Sequence, residues 1–303
     1  MEARAVTPLT RLGARMRYRI LRSPAAALVK SARALPRRSA MARRAALARG
    51  LPRCGEAVAA ARKLEHDGFV RLDNLVDRDL LDALAARAQE RVDADETTEL
   101  PLGVSNKAFW TRPLDCDLID GLIPADTVFA RFALQPRILG VLAETLRTLP
   151  LLDYVLLTVS RANAGALSQS QLWHRDHDDV RTIKLFVYLT DVASANDGPF
   201  TFLPGPRSDR VGGSVRSHAS DCWLFSRVDR SDLERILAKR LSVFAVETSR
   251  CLHMGSRVAP GHGRVLYTAT YTTAPRIFGD GSRFAPAPGA DETVRAVLGQ
   301  QWT

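Results

Sequence analysis

The chain has 303 residues, 46% of them hydrophobic, which is enough to bury the core of one large domain. Its four cysteines, at 54, 116, 222 and 251, form no CxxC pair and no dense framework, which argues for a reducing compartment and against disulfides or a cysteine-ligated zinc. The formal net charge of +10 is concentrated in residues 1–53, where fourteen Lys or Arg face one acid, Glu2; the mildly acidic remainder lacks the basic face that nucleic-acid binding requires.

Residues 1–50 are rich in Arg and Ala, and no apolar run there is as long as a secretory core or a membrane span. Three readings stay open for this segment: a disordered tail, an amphipathic helix lying on an anionic membrane or a partner, and an organellar transit peptide. Residues 51–303 are expected to form the catalytic domain, cytoplasmic or held peripherally at a membrane surface through 1–50.

Within that domain a helix is expected over Glu56–Leu64, ended by Gly68, and a short strand over Phe69–Leu72. Asp77 reads as the N-cap of a second helix running to about Val92, with Leu80, Leu81, Leu84 and Ala88 at helical spacing. Segments 93–99 and 101–125 read as loop, and Lys107 within them as an exposed lysine. Helical patterns return at 126–133 and at Arg137–Arg147.

From Leu151 onward the period changes to two. Tyr154–Val159, Thr182–Thr190, Phe200–Leu203, Asp221–Ser226, Ser242–Val246 and Arg264–Tyr271 read as strands, with Ser231–Lys239 as a helical insertion. Many short antiparallel strands after a helical block indicate a mainly β protein with flanking helices (α+β): a double-stranded β-helix, or jelly-roll, barrel over about 150–275, buttressed by N-terminal helices.

The chemistry concentrates in Gln171-Leu172-Trp173-His174-Arg175-Asp176-His177-Asp178-Asp179. On a strand, residues i and i+2 share a face about 6.5–7 Å apart, so His174 and Asp176 can close on one metal while Arg175 points away. His177 faces the other side and reads as a supporting or solvent-facing residue. A facial two-histidine, one-carboxylate site for non-haem iron needs a third ligand from a distant strand, and His253 in Cys251-Leu252-His253-Met254-Gly255-Ser256 supplies it. Alone, His174 would read as an ordinary hydrogen-bonded histidine. Its combination with His253, the trailing Arg264 and the β context makes the metal reading the stronger one. His66, His218 and His262 have no partner at useful spacing and are assigned to the surface or to loop hydrogen bonds, and Cys251 to a small buried filler. Arg264 heads a strand, and a buried guanidinium must be paired, either by an internal Asp or Glu or by a bound dicarboxylate.

These pieces resemble the phytanoyl-CoA dioxygenase family of iron(II)- and 2-oxoglutarate-dependent oxygenases. The likeness rests on His174-x-Asp176, the Gly198–Arg207 segment, His253-x-Gly255-Ser256, Arg264 and the upstream Glu65–Leu72, and spans about residues 55–275. Pro206-Arg207 stands where the family has Ser-His after Pro-Gly. The resemblance implies Fe(II) on His174, Asp176 and His253, with 2-oxoglutarate as cosubstrate. Arg264 would grip its distal carboxylate, Ser256 and Thr182 would add hydroxyl donors, and family members often add an upstream lysine, for which Lys107 is the poorly matched candidate. It further implies O2 and a small organic substrate as partners, and hydroxylation, because halogenating relatives replace the carboxylate of Asp176 by a small residue. Two alternatives remain open: a zinc-dependent hydrolase or isomerase on the same ligands, for which Arg264 has no evident task, and a non-catalytic binding module, for which a broken triad would be expected.

Overall fold

The computed structural model describes residues 38–95, 107–111, 122–162, 166–167, 169–176, 179–211, 218–255, 257–275 and 284–300. Ser256 and His177, both singled out above, lie outside these residues. Of 107–111 the strand is described but not the side chains, so the reading of Lys107 stays open.

The helices come first. α1 (Arg38–Gly50) is followed by α2 (Gly55–Asp67), whose Ala57, Ala60, Ala61 and Leu64 form the buried stripe. Gly68 ends α2 at φ +74°, donating its N–H to the Leu64 carbonyl, and a Cβ there would meet Cys251 Sγ at 2.3 Å. Both the left-handed backbone and the lack of space require glycine. After β1 (Phe69–Arg71), α3 (Arg78–Asp95) starts on Asp77, whose carboxylate accepts from Leu80 N at 3.0 Å as the spacing predicts. α4 (Val128–Ala133) and α5 (Pro136–Leu146) complete the helical layer, α5 opening on a proline at its first turn.

The main sheet has six strands in the order β1, β10 (Val243–Glu247), β6 (Thr182–Tyr188), β12 (Gly263–Thr272), β4 (Leu151–Arg161) and β2 (Lys107–Thr111), all antiparallel. A second antiparallel sheet has the order β8 (His218–Ala219), β5 (Trp173–His174), β11 (His253–Met254), β7 (Thr201–Phe202) and β9 (Glu234–Arg235). Strand alternation divides the main sheet cleanly. Val155, Leu157, Val159, Ile183, Leu185, Val187, Val243, Ala245, Tyr267, Ala269 and Tyr271 pack outward in one cluster with Leu64, Leu84, Phe129, Phe132 and Leu142 of the helices. Tyr267 and Tyr271 donate to the Phe129 and Ala133 carbonyls at 2.5 and 2.6 Å, fastening β12 to α4. On the inner face Phe186, Tyr188, Phe244, Val246 and Leu266 meet Phe200 and Phe202 from the second sheet, so a largely aromatic cluster joins the two sheets.

Three expectations are corrected. Asp221–Ser226 is not a strand but a helix, α7 (Asp221–Phe225), because Ser220 caps it by accepting from Trp223 N. Ser231–Lys239 is a single 3-10 turn followed by β9, since main-chain pairing of Ile236 with Phe200 and of Ala238 with Val192 outweighs helical propensity. The supposed loop 101–125 contains the edge strand β2 and β3 (Ile123–Pro124), the latter pairing in parallel with β13 (Phe284–Ala285). Pro206 and Arg207 lie on α6 (Gly205–Arg210).

The last quarter of the segment expected as a basic tail, residues 38–50, is docked on the body. Arg44 is buried, its guanidinium donating to Leu149 O at 2.8 Å and to Ala296 O of the C-terminal helix α8 (Glu292–Val297); burial pulls it down to about 10. Among the described residues no helix is long and apolar enough to cross a membrane.

Candidate metal centre

β5 and β11 lie side by side in the second sheet with His174 opposite His253, which brings the two imidazole centroids to 4.2 Å. Asp176 follows β5, its backbone N–H held by the Thr248 carbonyl at 2.9 Å, and its carboxylate faces both rings. His174 Nε2 is 3.9 Å from Asp176 Oδ1 and His253 Nε2 is 3.8 Å from Asp176 Oδ2. All three ligand atoms lie within 4.8 Å of one another. Each Asp–His separation is shorter than twice a metal–ligand bond of about 2.0–2.2 Å, so one ion can touch both atoms of each pair.

The ring orientations come from the far nitrogens. His174 Nδ1 is 2.9 Å from the Leu172 carbonyl and His253 Nδ1 is 2.9 Å from the Cys251 carbonyl. A carbonyl only accepts, so Nδ1 carries the proton in both rings and the Nε2 lone pairs point at the carboxylate, the tautomer a metal requires. Burial, and for His174 also the neighbouring His253, pushes both imidazoles below their ordinary pKa, so both are neutral. Burial opposes ionisation of Asp176, but the Lys184 ammonium 2.7 Å away favours it, and the carboxyl is held well below the usual carboxylate range. Two neutral nitrogens and one carboxylate on one side of a small space suit a divalent transition metal.

Packing fixes this set. Phe200 stacks on His253 with centroids 5.1 Å apart and 17° between planes, giving the triad a dry aromatic wall. Trp173, buried beside His174, donates its indole N–H to Asp221 at 2.7 Å, and Arg257 grips the same carboxylate in two places at 2.8 Å while donating to Gln171 O. Arg175 points away from the ligands as expected and donates to the Arg250 carbonyl and to Ser208, pinning the turn after β5 to the segment leading into β11.

Arg264 is 2% exposed at the start of β12, on the inner face of the main sheet. Its described neighbours are the Gly198 carbonyl, to which it donates, the Tyr188 phenol and the backbone of Gly255, where an added Cβ would lie 3.6 Å from the guanidinium. Burial lowers its pKa, opposed by Tyr188. Gly255 is two residues past His253, so the guanidinium lies beside the metal-ligand strand. Thr182 is buried in the turn entering β6, its hydroxyl accepting from Asp179 N at 3.2 Å. No contact joins it to the triad among the described residues. Cys251 is buried against the Gly68 and Asp67 carbonyls, a filler as expected, with its thiol pushed up to about 12 by burial. His66 and His262 bond to Asp67 and Asp197 at the surface, as expected.

Two neighbours of the site escape the sequence reading. His218 is not a surface histidine: β8 pairs it directly with His174, and the two rings stack at 5.1 Å. Lys184, on the inner face of β6, stands 2.7 Å from Asp176 Oδ2 in an ion pair rather than a well-aligned hydrogen bond. Its signal was present, since a lysine in the middle of Thr-Ile-Lys-Leu-Phe-Val-Tyr needs a buried partner if the strand is central. His218 left no such signal, because the pairing of β8 with β5 is a tertiary choice.

No family model matches the sequence, and a search of curated proteins finds no match. Solved structures match the fold at low sequence identity. SnoN, described as the non-heme alpha ketoglutarate dependent epimerase of nogalamycin biosynthesis, aligns at a TM-score of 0.52 with 16% identity over 72% of this chain and 81% of its own. EctD from S. alaskensis, in its apoform, aligns at 0.50 with 15% identity over 74% of this chain and 78% of its own. The chain therefore shares the architecture of SnoN and EctD.

Proposed function

We propose that this chain is an iron(II)- and 2-oxoglutarate-dependent oxygenase of the hydroxylase type, acting on a small organic substrate with O2. One observation carries the reading: a triad of two neutral imidazoles and one ionised carboxylate, His253 buried and His174 and Asp176 partly so, with the buried Arg264 guanidinium beside the ligand strand β11. The two facing sheets, read as the halves of a double-stranded β-helix, and the likeness to SnoN support it. Within the class, the matched motifs favour the phytanoyl-CoA dioxygenase family, and the carboxylate of Asp176 favours hydroxylation over halogenation. The description of SnoN as an epimerase keeps a second outcome in view, an oxidation at carbon that inverts a centre instead of adding oxygen.

Iron with 2-oxoglutarate supplies an oxidising equivalent from O2 as the cosubstrate loses CO2 to become succinate. The protein's part is fixed by its own residues. His174, Asp176 and His253 would hold the ion from one side and leave the rest of its coordination open. Arg264 would accept the distal carboxylate of the cosubstrate in a two-point contact, as its planar fork suits. Phe200, stacked on His253 and packed against Phe186 and Phe244, would keep water from one side of the site. The test is succinate release by the purified chain under air, with Fe(II) or Zn(II) as the added metal. Release that needs both Fe(II) and 2-oxoglutarate supports the oxygenase. Hydrolase or isomerase activity with Zn(II), and no succinate with Fe(II), overturns it.

A further inference from the structure

We propose that Lys184 anchors the substrate by an anionic group, a carboxylate or a phosphate, on the side of the metal triad away from Arg264. The inference rests on the oxygenase reading above and narrows its substrate to an oxyanion-bearing molecule.

Thr270 of β12 pairs with Tyr154 of β4 on one side and with Lys184 of β6 on the other, so three adjacent strands present Tyr154, Thr270 and Lys184 side by side. Strand alternation puts this row on the same inner face as Arg264, Leu266 and Thr268. The Lys184 ammonium is 2.7 Å from Asp176 and 5.8 Å from the centre of the Tyr154 ring, and its side chain is only 14% exposed. Next to it, Thr270 Oγ1 is buried and has no hydrogen-bond partner among the described residues. A cation and a hydroxyl at one spot make a ready cradle for an oxyanion.

Position separates this cradle from the one at Arg264. The two residues on β12, Arg264 and Thr270, are six apart, about 20 Å along an extended strand. One carboxylate cannot be gripped at both ends. The triad lies between them, with Arg264 beside the end of β11 and Lys184 against Asp176.

The metal gives a second support. A divalent ion on the triad would compete with Lys184 for Asp176 and repel its ammonium, which favours a new partner for the lysine. A substrate carboxylate or phosphate supplies one.

The experiment uses the full chain under anaerobic conditions, loaded with Fe(II) and 2-oxoglutarate, with acetate and inorganic phosphate titrated as probes against the iron–2-oxoglutarate charge-transfer absorbance. Wild type should bind one of the probes saturably, acetate indicating a carboxylate substrate and phosphate a phosphate ester. Lys184→Met should weaken that binding by about 10- to 100-fold, as for a lost charge-assisted hydrogen bond, and Lys184→Arg should keep most of it. Equal probe affinity in wild type and Lys184→Met, or no probe binding at all beside a normal absorbance band, overturns the inference alone. So does a loss of 2-oxoglutarate affinity in Lys184→Met with none in Arg264→Ala, which would make Lys184 the cosubstrate anchor. Absence of the band in wild type overturns the oxygenase reading and this inference with it.

Discussion

The two faces of the main sheet are made by the same strands, yet they are built to different rules. Outward, β6 and β12 present Ile183, Leu185, Val187, Tyr267, Ala269 and Tyr271 to a helical layer that covers them. Inward, the same two strands present Thr182, Lys184, Thr268, Thr270 and Arg264, all but Lys184 nearly inaccessible to water. A buried row of hydroxyls and cations adds nothing to a core, because each member must find a partner merely to offset its desolvation. The outer face is apolar core throughout, whereas the inner face sets this polar row beside the core residues Phe186, Tyr188 and Leu266, so mutations in the outer core and in the polar row should fail in different assays.

The largest effect should come from the outer face. Phe132→Ala opens a cavity beneath Tyr267, whose ring it meets edge-on at 5.7 Å, and should cost about 3–5 kcal/mol in chemical denaturation. Metal affinity of the folded fraction should not change. Should that variant keep its stability and lose metal, the division between the faces is wrong.

On the inner face Arg264→Ala should raise the 2-oxoglutarate dissociation constant by roughly 30- to 1,000-fold, about 2–4 kcal/mol, in an anaerobic titration of the charge-transfer absorbance. Metal affinity should be nearly unchanged. Arg264→Lys should recover only part of the loss, since an ammonium lacks the planar fork. Equal affinities in all three proteins would remove Arg264 from the cosubstrate site.

A smaller effect separates the faces by pH. Burial raises the pKa of Tyr271, and burial with the neighbouring Tyr271 raises that of Tyr267 further. Above pH ~10 the unfolded phenols release protons that the folded ones retain, so the folded state loses up to about 1.4 kcal/mol per pH unit for each tyrosine. Below that pH neither group contributes any slope. The Tyr267→Phe, Tyr271→Phe double variant should show a shallower alkaline slope, keeping only the part that Cys251 and Tyr188 contribute, at the expense of two buried hydrogen bonds of about 1 kcal/mol each. A wild-type stability curve flat from pH 9 to 11 would contradict it.

The outer face was the legible one. Period-two alternation over Thr182–Thr190 and Arg264–Tyr271 marks the strands, and Asp77 and Gly68 mark helix ends by chemistry that acts within a few residues. The triad could also be read, because His174-x-Asp176 fixes two ligands through strand geometry and the Gly255 turn marks the third. What could not be read depends on register between distant segments. The pairing that stacks His218 on His174 belongs to this class, as do the Lys184 contact with Asp176 and the edge strand β9 in place of a helix. Arg44 is a similar case: within an Arg-rich, acid-poor stretch nothing distinguishes the one arginine that reaches the Leu149 and Ala296 carbonyls. A chain beginning at Leu51, which lacks that anchor, should therefore melt several degrees lower than one beginning at residue 38, as expected for a loss of about 1–2 kcal/mol.

The central claim is that His174, Asp176 and His253 form one metal site, and equilibrium titration of the full chain with Co(II), followed by its ligand-field absorbance, tests it most directly. One ion per chain should bind, with affinity lowered at least about 100-fold in His174→Ala and in His253→Ala, while Phe132→Leu, on the outer face, should leave it as in wild type. Unchanged affinity in both histidine variants would contradict the account.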